Sequence, residues 1–206
     1  TYTATISGSQ GSDAIVYTPK TAIPETPQAG IIKIEKTNAN PSMGNYSLKG
    51  AVFEVRNKAT GELMDTVTTN DDGYVKTKEL PLGAYVVTEK NAPYGFVLNT
   101  NAYDVTLSYA GDRVAVTYSD VTILEKPQVG TISVTKLDVI TGTTTQGDST
   151  LSGAVFEIWN RDKTQVVDTL YCRSDSSATS KELPLGNYFY REKTPPVGYT
   201  HDDAYH

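Results

Sequence analysis

The chain is short of the residues that soft-metal and redox chemistry need. Its 206 residues hold one cysteine, Cys172, and two histidines, His201 and His206. A lone cysteine excludes an intrachain disulfide, and this set provides neither a thiolate zinc site nor a Cys–His pair on a folded core. An excess of basic charge is missing too. Eighteen Lys and Arg stand against 24 Asp and Glu, a net charge of −6, which argues against nucleic acid or an anionic membrane as partner. No apolar run approaches the ~18–20 residues of a membrane-spanning helix, so membrane insertion of this segment is not expected, and no signal-like stretch opens the chain. Sustained 3.6-residue periodicity with caps is absent as well. What is present is a 38% hydrophobic composition, enough for a core, with 14 Tyr against four Phe. Tyr, Thr and Val in such numbers favour strands. Cofactor-dependent enzyme chemistry has little to work with, and neither metal nor cofactor is expected.

Internal repetition organises the rest. LKGAVFEV at 48–55 returns as LSGAVFEI at 151–158, and KELPLGAYVVTEKNAPYGF at 78–96 returns as KELPLGNYFYREKTPPVGY at 181–199, both at an offset of 103. TPQAGIIKIEK at 26–36 returns as KPQVGTISVTK at 126–136, and YTATIS at 2–7 echoes YDVTLS at 103–108. One unit is therefore about 100 residues. Residues 1–28 read as the last strands of a preceding repeat, 29–128 as a complete repeat, and 129–206 as a repeat lacking its last strands. Tyr2, Tyr103 and Tyr205 are aligned as equivalents.

Within a unit the signals are those of short antiparallel strands. Ile132, Val134 and Lys136 alternate with Thr131, Ser133 and Thr135, the period of a half-buried strand. Asn70-Asp71-Asp72-Gly73, Pro81-Leu82-Gly83 and Ala110-Gly111-Asp112 separate the runs as turns. An all-β, Ig-like fold of tandem Greek-key β-sandwiches follows. The Pro-Gln-Ala-Gly (27–30) and Pro-Gln-Val-Gly (127–130) junctions are too short for free swivelling, so neighbouring repeats are expected to form a semi-rigid rod.

Charged residues fall on faces that alternation reserves for the core. Lys36 shares a face with Ile32 and Ile34, Lys136 with Ile132 and Val134, Glu89 with Tyr85 and Val87, and Glu192 with Tyr188 and Tyr190. Glu125 follows Val121 and Ile123, and Glu25 follows Ile23. A buried charge must neutralise, pair or react. Burial favours a neutral amine and a protonated carboxylic acid, which are the two partners of amide formation.

These residues carry a resemblance. Lys136-Leu137-Asp138 ending a first strand, then LSGAVFEI, then Gly-x-Tyr-x-x-x-Glu and Pro-x-Gly-Tyr, resemble the collagen-adhesin B-type (Cna-B, SpaA-like, prealbumin-like) repeat of Gram-positive surface proteins and pilins. The resemblance covers 29–128 and 129–206, and 1–28 by internal homology. It implies a transthyretin-like sandwich serving as a stalk module of a secreted, wall-anchored adhesin or pilin-like protein. It also implies a self-formed isopeptide bond between the first-strand lysine and a last-strand Asn or Asp, with a glutamate as proton shuttle. By position Lys36 and Lys136 are the nucleophiles and Glu89 and Glu192 the shuttles. The acceptor positions depart from the pattern, holding Glu125 and Glu25, and an extra methylene displaces the carbonyl carbon by more than ~1 Å. Either a Lys36–Glu125 amide forms or the trio stays an ion-pair cluster. Asp120 is a reserve acceptor on the opposite strand face.

The incomplete repeat suggests a partner as well as a fold. Strands from 1–28 are expected either to complete the 129–206 domain of another copy, head to tail, or to be simply frayed. Binding of a host extracellular-matrix protein or glycan is the functional alternative to a stalk, although no aromatic or basic cluster stands out in the loops. The remaining signals are read as structural: Ile23-Pro24-Glu25-Thr26-Pro27 is no sorting signal, Lys20 is a surface lysine, and Thr69–Gly73 is a hairpin turn rather than a calcium loop. Asn45-Tyr46-Ser47 fits a sequon of little meaning here, and Cys172 aligns with Thr69 as an incidental strand residue.

Overall fold

The computed structural model describes residues 23–206. The first repeat is a sandwich of two four-stranded sheets. One sheet holds β1 (Ala29–Asn38), β4 (Tyr74–Lys76), β5 (Leu80–Pro81) and β8 (Val116–Glu125). The other has the order β3 (Leu63–Thr68), β2 (Val52–Asn57), β6 (Gly83–Asn91), β7 (Ala102–Leu107). A 3-10 turn at Pro41–Met43 sits in the loop after β1.

Strand β1 forms because its apolar residues alternate: Ile32 and Ile34 are fully buried while Glu35 is exposed. Those two meet Phe53, Val55, Tyr85, Val87, Val105, Leu107 and Ile123 between the sheets. Truncating one such isoleucine to alanine costs about 2–5 kcal/mol. Along its other edge β1 runs parallel to β8 over ten residue pairs, from Ala29 opposite Val116 to Asn38 opposite Glu125. The first and last strands of the repeat are thus direct neighbours, and the chain enters and leaves at opposite poles.

The second repeat rebuilds the same plan with β9 (Val129–Gly130), β10 (Ser133–Thr135), β11 (Val155–Asn160), β12 (Val166–Tyr171), β13 (Ser177–Thr179), β14 (Leu183–Pro184) and β15 (Tyr188–Thr194). Sheet β12-β11-β15 copies β3-β2-β6, and β9 and β10 stand where β1 stood, pairing with β14 and β13. Among the described residues no strand pairs with their other edge. The consequence is visible in the strand itself. The ten residues of β1 become two short pieces, and Ile132 and Val134 are only partly buried.

The repeat register differs from the sequence alignment at one place. Tyr190 and His206 exchange backbone hydrogen bonds of 3.1 and 2.9 Å, and the equivalent pair in the first repeat is Val87 and Tyr103. His206, not Tyr205, is therefore the counterpart of Tyr103. A one-residue slip reverses the faces: Tyr205 turns outward, edge-on to Trp159 and Phe189 at 5.8 and 6.4 Å. Tyr190, expected on the inward face, is 37% exposed and stacks on His206.

Candidate functional site

Three strands deliver the inward charges to one point. Lys36 near the end of β1, Glu89 on β6 and Glu125 at the last position of β8 are 1%, 5% and 0% exposed. Lys36 is paired across the ladder with Ile123, and Glu125 with Asn38, so lysine and acceptor glutamate are diagonal neighbours on one face. The Lys36 ammonium donates a short hydrogen bond to Glu89 Oε1, and its Nζ lies 2.7 Å from Glu125 Oε1. Both Glu125 oxygens are fully buried, and Lys36 is the cation beside them. The Phe53 ring lies beside the amine, with Nζ 4.9 Å from its centroid.

The backbone fixes the cluster on both sides. Lys36 N–H donates to Gly73 O at 2.9 Å, and Ala39 N–H donates to Glu125 O at 2.9 Å. Gly73 has φ +75, and a Cβ there would come 3.0 Å from Lys36 O, so the Asn70–Gly73 turn reaches the lysine only with glycine at this place. Glu89 Oε2 accepts the Asn99 backbone N–H at 2.8 Å. Burial pushes the Glu125 carboxyl above its ordinary pKa. The Lys36 charge opposes that shift and the Glu89 charge adds to it. The arrangement sets an amine against a carboxyl group held toward its acid form, with a second carboxylate on the amine's proton.

Repeat two holds a partial copy. Lys136 Nζ is 2.8 Å from Glu192 Oε1, with side-chain exposures of 20% and 2%. Asp202 N–H donates to Glu192 Oε2 at 3.1 Å, as Asn99 does to Glu89. No third carboxylate joins this pair among the described residues. Asp138, of the Lys-x-Asp motif, is buried and structural. It accepts the N–H groups of Thr141 and Ile140, the Gln146 amide and the Tyr199 hydroxyl, which hold its carboxyl well below the usual range.

The other sequence-level candidates fall apart from the cluster. Asp120 is exposed and faces Lys33 at 3.9 Å, on the face its parity assigns. Glu25 is exposed ahead of β1. The strand that would carry Glu25 into a neighbouring copy falls at 1–22, outside the described residues, as does Lys20. Cys172 takes the place of Thr69: its N–H donates to Ala154 O at 2.9 Å, as Thr69 N–H donates to Ala51 O at 3.0 Å. Burial pushes its thiol up, which disfavours the thiolate. No group of His, Cys, Asp and Glu among the described residues could hold a metal ion, and no helix there is long and apolar enough to cross a membrane.

Sequence reasoning missed two features. The Asn99 and Asp202 donors act through backbone N–H groups, which have no residue signature, although both stand ten residues after their glutamates. The second is an aromatic–cation cluster on the outward face of β11 and β15. Lys163 lies 4.1 Å from the Phe189 ring centroid, and Arg191 lies 5.6 Å from that of Trp159. Its signal was outward strand parity, not loop composition. These rings pack on one another and on their cations.

Two tandem repeats, each with a first-strand lysine turned onto a buried glutamate, are the frame into which the comparisons with known proteins fit. The chain belongs to the SpaA prealbumin-like fold domain family, whose family model matches residues 30–122 and 130–206. It is 37% identical over 68 residues to the trypsin-resistant surface T6 protein of Streptococcus pyogenes serotype M6, covering 33% of this chain and 12% of that protein. Among solved structures it is similar to the Bacillus anthracis TIE protein, with 29% identity, a TM-score of 0.70, and coverage of 86% of this chain and 30% of that one. A streptococcal ancillary pilin is similar at 19% identity and a TM-score of 0.41, over 87% of this chain and 58% of that chain. The chain thus spans under a third of the TIE protein and a smaller part of T6. The T6 relative is a streptococcal surface protein, and the chain is a Gram-positive cell-surface repeat.

Proposed function

We propose that the chain is a load-bearing stalk segment of an adhesin or pilin-like protein, and that its first repeat locks itself with a Lys36–Glu125 amide. The observation that carries this is the placement of Lys36 Nζ, in a site closed to water, 2.7 Å from Glu125 Oε1 while Glu89 holds its proton side. The step balances without a cofactor. Glu89 carboxylate takes one proton from the Lys36 ammonium, and the freed amine attacks the carbonyl carbon of protonated Glu125. Glu89 gives its proton to the departing hydroxyl, which leaves as water as the C–O bond breaks, and then takes the second proton from the nitrogen. Lysine keeps one hydrogen on the amide, and Glu89 ends protonated. The product removes a lysine–carboxylate pair from an apolar site, where each ion carries a desolvation penalty of several kcal/mol. The event happens once per molecule, so the repeat is a structural part and not an enzyme with turnover.

Intact mass tests the reading. The chain should be lighter than its sequence by about 18 Da, one water, assigned by peptide mapping to Lys36 and Glu125. Glu89→Ala should return the full mass. An unmodified wild-type mass removes the amide and leaves a buried ion-pair cluster.

A further inference from the structure

Tyr46, in the loop between Pro41–Met43 and β2, belongs to neither sheet and to no part of the lysine cluster. Its ring is wedged against glycine. Gly95 has φ +84, and a Cβ there would stand 2.5 Å from the Tyr46 ring. Phe96 meets the ring edge-on at 5.8 Å and Tyr94 at 6.3 Å. Held in this way, the Tyr46 hydroxyl reaches across the repeat boundary and accepts the backbone N–H of Leu185 at 2.7 Å. Leu185 belongs to the Leu183-Pro184-Leu185-Gly186 turn of the second repeat.

The same corner grips the linker. Gln128 N–H donates to Gly95 O at 2.7 Å, Val97 N–H donates to Lys126 O at 2.9 Å, and Phe96 bridges to Pro127. One surface of the first repeat therefore holds both the connecting chain and a turn of the next domain. We propose that Tyr46, Gly95 and Phe96 form an interdomain latch whose partner is the Leu-Pro-Leu-Gly turn of the following repeat, fixing the angle between the two sandwiches.

The two halves of the latch are distributed unequally. The turn is present in both repeats, as Leu80–Gly83 and Leu183–Gly186. The tyrosine is not. Ser149 takes the place of Tyr46 in the second repeat, where a Cβ on Gly198 would meet it at 2.6 Å, as one on Gly95 meets Tyr46. A serine is too short to project a hydroxyl to a neighbouring domain. Stiffness of a joint is thus encoded by one residue in the corner loop rather than by linker length, which is alike at both Pro-Gln junctions.

The test is independent of the amide. In the full chain, Tyr46→Phe keeps the ring and removes only the acceptor. Hydrogen exchange at the Leu185 amide should rise about fivefold, the value of one net hydrogen bond. Core amides of Ile34 and Ile158 should be unchanged, as the mark of two intact folds. Nitrogen-15 relaxation should show both repeats of the wild type reorienting with one diffusion tensor, and the tensors separating in Tyr46→Phe and further in Tyr46→Ala. Two results would overturn the latch: independent tumbling of the wild-type repeats, or unchanged Leu185 exchange and a shared tensor in both variants.

Discussion

A load applied along the chain would enter the first repeat at Ala29 and leave at Glu125, at opposite ends of the parallel β1–β8 ladder. Pulling the chain ends apart therefore shears ten residue pairs at once instead of peeling them one by one. An amide from Lys36 Nζ to the Glu125 carboxyl carbon would carry that load through one covalent bridge, leaving roughly 90 residues between the two positions out of the force path. At ~3.5 Å per extended residue those residues amount to ~300 Å of chain that cannot be released. Single-molecule stretching of the full chain reads this directly. Wild-type traces should lack any lengthening near ~300 Å from the first repeat, because only Ala29 to Lys36 can extend, by ~30 Å at most. Glu89→Ala should restore the long step, since its lysine and acceptor stay unjoined. A wild-type step of ~300 Å, equal to that of Glu89→Ala, would refute both the bridge and the mechanical reasoning.

Glu125→Asp withdraws the acceptor by one methylene from a lysine it now meets at 2.7 Å. A misplacement of that size should slow amide formation about a hundredfold, seen by mass as an unjoined fraction in freshly purified protein; complete joining would contradict the fit to glutamate. Lys36→Met removes the cation that opposes the burial shift on Glu125. The folded carboxyl then binds its proton more tightly than the unfolded one, whose ordinary value is 4.5. Stability is therefore greatest below that value and is lost as pH rises through the raised folded pKa. Thermal midpoints of Lys36→Met should fall as pH rises above the ordinary value of 4.5, and a flat or rising profile would contradict the sign.

The inward placement of Lys36, Glu89 and Glu125 was legible because strand parity is a local property: Ile32, Ile34 and Lys36 are two residues apart whatever the rest of the chain does. Their meeting at one point was not local, and it rested on the family resemblance until the sheets supplied the geometry. The Tyr46–Leu185 contact spans 139 positions and left no trace beyond a tyrosine inside an uninformative sequon. The equivalence of Tyr205 and Tyr103 failed because three residues after a turn do not determine register, whereas the paired hydrogen bonds of Tyr190 and His206 do.

The glutamate at the acceptor position has a geometric reason. A residue directly across the ladder from Lys36 would need only a short side chain to meet it, and that place belongs to Ile123. Glu125 stands one step farther along the same face, opposite Asn38, so its carboxyl must reach back diagonally over ~7–8 Å between backbones. The added methylene that counts against glutamate when the chain is read as text supplies that reach. Asp120 illustrates the converse: it lies on the same strand and has a carboxylate, but its parity sends it into solvent beside Lys33. Position on the strand, more than the identity of the acid, decides which carboxyl the buried amine can reach.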